Sequence, residues 1–302
     1  MLSTPSINIS DIERETGLGK DLLRKWRSRY GFPGPSSDDG DTGYSRDQVN
    51  QLRLIRRLLD AGMRPKQVVG KSSQELEKLA RLVACSIEKC TWPASTHTAI
   101  EMLKKHDLNG LRGLLAEERT GQALPDFIRN TVAPLSGGLG DAWAKGEIEV
   151  YHEHLCTSML IRQLQAEIEH MQPKAGFPRF IFSTLREELH TLGLLMAQAV
   201  LMGEGAECID VGPQMPIADL DMAARKCQAD VIALSFSPSF PKRTIRPLLL
   251  QLRERLPNHI EIWAGGAGAS VVKRPPQGIR IFSDLHEPVA TLCQWVGRTS
   301  KQ

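Results

Sequence analysis

The residues best suited to chemistry lie in the stretch "REELHTLG", which separates two apolar runs. In it, Glu188 stands two residues before His190, and Gly193 follows as the last residue. A histidine that binds a metal through one ring nitrogen commonly gives the N–H of the other to a carboxylate, which fixes the tautomer. Gly193 has no side chain, so a bulky group can approach the backbone closely. The spacing indicates a ligand role for His190; the ordinary alternative is a surface or hydrogen-bonded histidine.

The elements around this stretch predict where it lies. From Pro178 onward, apolar segments alternate with helical ones, and five segments read as strands: "RFIFST", "AECIDVG", "DVIALSFS", "IEIWAGG" and "GIRIFS". This alternation predicts an α/β domain, flavodoxin-like or Rossmann-like, with a parallel sheet covered on both faces. Ligands of such folds bind beyond the carboxyl ends of the strands, where the strand order reverses. His190 follows the first strand and is expected at that edge.

Small residues follow two later strands. Ser235 and Ser237 end the third predicted strand as "SFS", and Gly265 and Gly266 begin the run "GGAG" after the fourth. On one rim of a parallel sheet, small residues leave a groove between the sheet and its helices. A glycine run there is also compatible with a phosphate loop or an ordinary turn, but the spacing G-x-G-x-x-G of a dinucleotide site is missing.

The middle of the chain, residues 79–174, has helical apolar spacing and is predicted to form a four-helix bundle. The run "SGGLG", Ser136 to Gly140, is expected to interrupt it. The segment "WAKGEIEVYHEH" carries Trp143, Glu153 and His154. A tryptophan in a bundle is usually a core residue, and a Glu-His pair usually faces solvent, so the segment alone does not decide its role.

Residues 1–78 read as short helices with turns between them. The sequences "SDIE", from Ser10, and "SRDQ", from Ser45, each predict a helix start with a capping box. A short helix, a tight turn and a basic second helix indicate a winged helix-turn-helix that binds double-stranded DNA. The predicted DNA-contacting residues are Lys20, Arg24, Lys25, Trp26, Arg27, Arg29 and, after a proline- and glycine-rich wing, Tyr44. A basic helix on a protein-binding module is the alternative.

Composition limits the possible locations and partners. The 302 residues carry a net charge of +3, so nucleic-acid binding must depend on a local patch. No apolar run is long enough for a membrane span, and the first residues lack the pattern of a signal peptide, so we expect a cytoplasmic protein. The six cysteines are scattered without a C-x-x-C pair, and most are expected to be buried.

The N-terminal pattern resembles the DNA-binding domain of the MerR family of regulators. The similarity lies in Thr16-Gly17, in Leu23 to Trp26, in Gly31-Phe32-Pro33, in Tyr44 and in the run Ile55 to Gly62. The sequence departs from the family pattern at Trp26, where tyrosine is commoner, and at Thr42, where arginine is usual. Because no sustained heptad pattern follows Gly70, self-association is expected to use the C-terminal half.

The C-terminal pattern resembles the cobalamin-binding domain. That family has Asp-x-His-x-x-Gly, then Ser-x-Leu, then Gly-Gly, and here Glu188, His190, Gly193, Ser235, Ser237, Gly265 and Gly266 occupy those places in order. The resemblance implies that His190 is the lower ligand of cobalt and that the serines and glycines line the groove for the cofactor's tail. Glutamate replaces aspartate at position 188, and serine replaces leucine at position 237.

The spacing of Trp143, Glu153 and His154 resembles the cap of the CarH/LitR type of light-dependent repressors. There these residues cover the upper face of adenosylcobalamin; Ala144 here replaces a histidine found in some members. The resemblance implies a homo-oligomeric, DNA-binding photoreceptor and repressor without catalytic turnover. Two alternatives stay open: a MerR-type regulator that senses a free corrinoid or a bilin without light, and a corrinoid carrier of a methyl-transfer system.

Overall fold

A computed structural model of the chain describes residues 7–16, 18–34, 44–60, 63–86, 92–171, 178–238 and 240–299. The chain forms two compact units. The first comprises Met1–Trp92 and Gly140–Val150, and the second comprises Pro93–Leu139 and Tyr151–Gln302.

The first unit contains the predicted helix-turn-helix. Its helices are α1 (Ile9–Thr16), α2 (Lys20–Tyr30), α3 (Arg46–Asp60), α4 (Pro65–Val68) and α5 (Ser73–Ser86). A single antiparallel bridge pairs Ile7 with Tyr44. The predicted wing falls largely on residues 35–43, which lie outside the described residues. The core is built from one apolar face of each helix and includes Ile12, Leu18, Leu23, Trp26, Tyr44, Val49, Leu52, Ile55, Leu58, Val68 and Leu76.

Of the two predicted capping boxes, one is confirmed and one is wrong. At the start of α3, the backbone N–H of Gln48 donates to Ser45 Oγ (3.2 Å), and the N–H of Ser45 donates to Gln48 Oε1 (3.0 Å). Helix α1 begins at Ile9, before the predicted serine, and the N–H of Asp11 donates to Asn8 Oδ1 (3.0 Å). Asparagine accepts such a bond as well as serine does, so composition alone did not separate the two starts.

The boundary predicted at residue 78 falls within α5. Leu76 of this helix is fully buried in the core that α1, α2 and α3 share, and Leu79 packs against the same core. The boundary predicted at residue 174 falls among residues 172–177, outside the described part of the chain.

The second unit begins with the predicted helical bundle. Its helices are α6 (Ala94–Lys104), α7 (Leu108–Thr120), α8 (Leu124–Phe127), a π-helical segment (Ile128–Val132), α9 (Ala133–Ala144) and α10 (Val150–His170). The ends of α9 and α10 that flank residues 145–149 belong to the first unit. The expected interruption at "SGGLG" is wrong, because α9 runs through it. Leu135, Leu139 and Ala142 are buried along this helix, and their packing outweighs the low helix propensity of the glycines.

The rest of the second unit is the predicted α/β domain. Its strands are β1 (Arg179–Ser183), β2 (Glu207–Asp210), β3 (Val231–Ser235), β4 (Glu261–Gly265) and β5 (Ile279–Ile281). All neighbouring strands pair in parallel, in the order β2-β1-β3-β4-β5. The helices are α11 (Leu192–Gly203), α12 (Ile217–Lys226), α13 (Lys242–Arg255) and α14 (His286–Thr299), with a 3₁₀ turn at Ala269–Val271. This is the flavodoxin-like order, whose reversal point lies between β1 and β3.

Side chains of the sheet alternate between two cores. Phe180 and Phe182 of β1 join Trp263 of β4 on one face, whereas Ile181 joins Ile232 and neighbouring aliphatic residues on the other. Because successive residues of a strand point to opposite faces, nearly continuous apolar strands are what a doubly covered sheet requires. The sheet therefore gives its rim a rigid base.

Two findings relate to the expectations from composition. In the described parts of the chain, no helix is long and apolar enough to cross a membrane. Among the described cysteines, Cys156 is buried, Cys208 and Cys227 are half-buried and Cys293 is exposed, so the expectation that most are buried is wrong for this set.

Candidate functional site

The loop from β1 to α11 holds His190 through a buried carboxylate. Glu188 is 1% exposed, and its Oε1 accepts hydrogen bonds from the backbone N–H of His190 (2.9 Å) and from His190 Nδ1 (2.7 Å). The other oxygen, Oε2, accepts the backbone N–H of Ser237 (2.7 Å) from the loop after β3. One carboxylate thus joins the two strands on either side of the reversal point.

The charges of this pair are coupled. Burial raises the pKa of Glu188, but hydrogen bonds from the His190 ring, the His190 backbone and Ser237 outweigh burial and hold that pKa below its usual value. The hydrogen bond to Glu188 raises the pKa of His190 against the opposing effect of burial, with smaller contributions from the charges of Glu188 and Glu153. An ionised carboxylate only accepts, so Nδ1 carries a proton and donates it. In the neutral ring, the lone pair is therefore on Nε2.

Near His190, two glycines of the rim allow neighbouring segments to pack closely. An added Cβ at Gly193 would lie 3.1 Å from Ser235 Oγ, so Gly193 and the end of β3 are in contact. At Gly266, where φ is +88°, an added Cβ would lie 2.4 Å from the carbonyl oxygen of Phe236. Gly265 differs, because a Cβ there would meet no atom within 4 Å. The rim is thus closed at Gly266 and open at Gly265.

Three observations test whether a corrinoid fits this rim. The His190 side chain is 60% exposed with Nδ1 engaged, which leaves Nε2 available as a ligand. Ser237 Oγ is buried next to the Glu188 carboxylate, and its side chain helps to hold the pKa of Glu188 below its usual value. No group of three or more potential ligands occurs among the described residues. A metal that brings its own equatorial ligands needs only one from the protein, so the residues fit a cobalamin.

The predicted cap residues fall in different parts of the structure. Glu153 and His154 lie in the first turn of α10 within the second unit, and His154 Nδ1 lies 2.9 Å from Glu153 Oε2. The side chain of His154 is 70% exposed, and Glu153 also accepts a hydrogen bond from Thr157 Oγ1 (2.7 Å). The negative charge of Glu153 makes a small contribution to the raised pKa of His190. Trp143 lies in the last turn of α9, is half-exposed and belongs to the first unit.

Sequence reasoning missed two supporting residues. Thr184 is fully buried; its Oγ1 donates to the carbonyl of Glu188 (2.7 Å) and accepts the N–H of Gln214 (2.9 Å). It therefore holds the loop that positions Glu188. Gly268 approaches Ser237 so closely that an added Cβ would lie 2.4 Å from its carbonyl oxygen. Gly268 is the last residue of the run "GGAG", which could have signalled it, whereas no motif marked Thr184.

The basic residues of helix α2 fall into two groups, those exposed to solvent and one with a structural role. Arg24, Lys25 and Arg29 are exposed and Lys20 is half-exposed, with its Nζ 3.8 Å from Glu13. By contrast, the Arg27 guanidinium donates to the Tyr44 hydroxyl and to the Pro33 carbonyl (3.0 Å). Arg27 thus fastens the two ends of the wing.

Two predicted DNA contacts are wrong. Trp26 is 3% exposed and Tyr44 is 1% exposed, and both rings pack in the core of the first unit. Burial leaves neither ring a surface that a DNA groove can reach. The amphipathic spacing of α2 placed Trp26 on the inner face, where Leu23 also lies.

Known proteins and protein families match separate parts of this chain. Models of the MerR HTH family regulatory protein and of the B12 binding domain match residues 7–74 and 178–276, and a second B12 binding domain model matches residues 97–166. The HTH-type transcriptional repressor CarH of Myxococcus xanthus is 28% identical over 263 residues, covering 84% of this chain and 86% of that protein. The repressor CarA of the same organism is 25% identical over 242 residues, or 76% of each chain.

A solved structure shares the fold of about two thirds of this chain. The monomethylamine corrinoid protein of Methanosarcina barkeri has a TM-score of 0.53 and 16% identity, covering 66% of this chain and 96% of that one. The fold and the site define a DNA-binding regulator with a B12-binding domain. Its N-terminal part matches the MerR HTH family, its C-terminal part matches the B12 binding domain, and the chain is similar to the CarH repressor over most of its length.

Proposed function

We propose that this chain is a transcriptional repressor that uses adenosylcobalamin as a light sensor and catalyses no reaction. The observation that carries the proposal is the hold of the buried Glu188 on the ring of His190, which leaves Nε2 exposed. The similarity to two HTH-type transcriptional repressors supports the regulatory role.

The residues of the rim have distinct proposed roles. His190 is the lower ligand through Nε2, and Glu188 is the positioning residue that fixes its tautomer. Ser235, Ser237, Gly193, Gly265 and Gly266 line the groove that takes the cofactor's tail. When bound, adenosylcobalamin supplies a cobalt–carbon bond that light can break.

The cap residues are proposed to sense changes at the upper face of the cofactor. Glu153 and His154 lie near the start of α10, and the charge of Glu153 contributes to the raised pKa of His190. Trp143 is carried over from the sequence pattern alone. In the first unit, Arg53 of α3 lies 3.3 Å from Glu149, which belongs to the same segment as Trp143. We propose that this contact connects a change at Trp143 to the DNA-binding domain.

The response to light needs only a difference in the affinity of the cofactor's two states for the two assemblies of the protein. A ligand shifts an equilibrium by as much as it favours one assembly over the other. The DNA contacts that we propose for Lys20, Arg24, Lys25 and Arg29 are weak in one protomer and become strong when protomers are linked. Light therefore acts by changing the oligomer, which in turn changes occupancy of the operator.

The test compares wild type with His190→Ala. Absorbance spectra are recorded after incubation with adenosylcobalamin, before and after green light, with size-exclusion chromatography on the same samples. We expect wild type to change both its spectrum and its oligomeric state on illumination, and His190→Ala to lose the histidine-ligated spectrum. The matched control His259→Ala, a substitution in the loop before β4, should behave as wild type.

One alternative regulator is favoured by a specific observation. Ser237 replaces an apolar residue of the family pattern and removes part of the contact with the cofactor's tail. A MerR-type regulator that senses a free corrinoid or a bilin without light is the second candidate. If the protein binds a pigment but binds and releases DNA equally in darkness and in light, this second candidate is supported and the light-sensor proposal is rejected.

The carrier alternative is weaker, because a corrinoid carrier has no use for the exposed cations of α2. It predicts that Arg24→Ala alters neither cofactor binding nor any function of the protein. Loss of DNA retention by Arg24→Ala, with cofactor binding intact, contradicts it.

A further inference from the structure

A basic groove lies in the α/β domain, and none of the residues that line it belongs to the cobalamin rim. It has a volume of about 430 Å³ and lies between the first turns of α13 and the loop that follows the 3₁₀ turn. Val271 and Val272 contribute apolar surface. The cations that line it are Lys242, Arg243, Arg246, Lys273 and Arg274.

The positive charge of this groove is local and does not follow from the charge of the whole chain. The whole sequence is nearly balanced, with 38 basic and 35 acidic residues. Yet residues 231–253 and 262–283 contain no aspartate or glutamate at all. Both walls of the groove come from these two acid-free segments, so the positive potential there is concentrated.

Two other arginines of the same segments have structural roles. Arg253 donates to the carbonyls of Ile260 and Leu256 (2.8 Å to the latter), and Arg280 forms a bidentate pair with Glu261 (2.7 and 3.0 Å). The five cations of the groove are all exposed and, within the part of the chain that the structure describes, make no ion pair with an acidic residue. They are therefore available to an external anion.

The shape of the site favours a polyanion over a small anion. A small anion is usually held by convergent, partly buried donors, whereas these side chains stand on two opposed walls and are all exposed. Helix α13 begins at Lys242 without a side-chain cap, so its positive dipole end adds to the same field. Spaced phosphates along a backbone match such an arrangement.

We propose that the basic groove of the α/β domain binds the phosphate backbone of DNA, independently of sequence. The proposal depends on the DNA-binding function of the first unit. Because that unit already brings DNA to the chain, a second weak contact in the same molecule is strengthened by its high effective concentration. A free polyanion of another kind gains no such advantage.

The test measures how DNA affinity depends on salt. The full chain, with adenosylcobalamin in the dark, is titrated with a labelled duplex of random sequence at several salt concentrations. The groove variant carries Lys242→Gln, Arg246→Gln and Lys273→Gln. We expect it to lower the slope of log K against log salt by about 2 to 3, because each lost phosphate contact removes about 0.9.

Two matched variants separate a local contact from general charge and from misfolding. The control Lys105→Gln, Arg162→Gln and Lys226→Gln removes the same charge from exposed positions of the same unit and should keep the wild-type slope. The exchange Lys242→Arg, Arg246→Lys and Lys273→Arg keeps the charge and should also keep the slope. Circular dichroism and the cofactor spectrum verify folding of all variants.

The outcomes are distinct. An unchanged slope in the groove variant overturns the proposal. Loss of binding to inorganic phosphate or to RNA with an unchanged slope on DNA also overturns it, and assigns the groove to that other ligand. Failure of wild type to bind the duplex at all instead rejects DNA binding by the whole chain, and with it the proposed function.

Discussion

Glu188 and His190 are joined by two hydrogen bonds that end on the same carboxylate oxygen, one from the imidazole Nδ1 and one from the backbone N–H. The remaining oxygen receives the N–H of Ser237 from the neighbouring strand loop. Because Ser237 follows a different strand, this relationship fixes the direction of the imidazole with respect to the sheet. It also means that the carboxylate has no spare oxygen.

Replacing Glu188 by glutamine should therefore weaken cofactor binding. An amide offers one acceptor oxygen in place of two, so either the His190 ring or the Ser237 N–H loses its partner. Loss of such a positioning group typically lowers the affinity for the metal by about 10- to 100-fold. Spectrophotometric titration with adenosylcobalamin measures the effect. Glu187→Gln, at the exposed neighbouring position, is the matched control, and equal affinities of the two variants would refute the positioning role.

Alanine at Gly266 should lower the stability of the protein, whereas alanine at Gly265 should lower its affinity for the cofactor. At Gly266, the positive φ and the contact with the Phe236 carbonyl should lower the free energy of unfolding by at least about 2 kcal/mol. At Gly265, the added methyl meets only open space, so the protein should remain stable while the groove narrows and cofactor affinity falls.

Calorimetry and cofactor titration separate these two effects. Gly212→Ala is the control for backbone strain alone, since φ is +82° and no atom lies within 4 Å of the added Cβ. It should cost about 1 kcal/mol. A stable Gly265→Ala variant with wild-type cofactor affinity would show that the groove lies elsewhere.

In α2, Lys25→Ala and Arg27→Ala should separate DNA binding from stability. Lys25 is exposed, so its removal should reduce the salt slope of DNA binding by about 1 without changing Tm. Arg27 donates to Tyr44 and Pro33, so its removal should cost about 1–3 kcal/mol of stability. Fluorescence anisotropy and thermal unfolding measure both. A loss of stability in Lys25→Ala, or none in Arg27→Ala, would contradict the division.

Glu149→Gln tests the connection between the Trp143 segment and the DNA-binding domain. The side chain of Glu149 is 54% exposed, so the ion pair should contribute only about 0–1 kcal/mol and the cofactor spectrum should not change. We expect the light-dependent difference in DNA affinity to become smaller. Glu147→Gln, at an exposed position two residues away, should keep the full difference. An undiminished light response in Glu149→Gln would reject this connection.

Much of the fold could be predicted because its signals are local. The α/β alternation after Pro178 and the apolar face of α3 follow from repeating patterns that any short window shows. Predictions failed where local signals competed. Ser10 and Asn8 are equally good caps, and the glycines of "SGGLG" were outweighed by the burial of Leu135 and Leu139. Such outcomes depend on neighbours that are distant in sequence.

The sequence by itself determined the order of the domains and the candidate ligand, His190, because residue type and spacing set both backbone period and coordination chemistry. Only the tertiary structure decided that Trp26 and Tyr44 are core residues, that Glu188 also binds Ser237, and that cations from two separate segments share one groove. Each of these depends on which surfaces meet after folding, and spacing along the chain carries no information about contacts between residues that lie far apart in it.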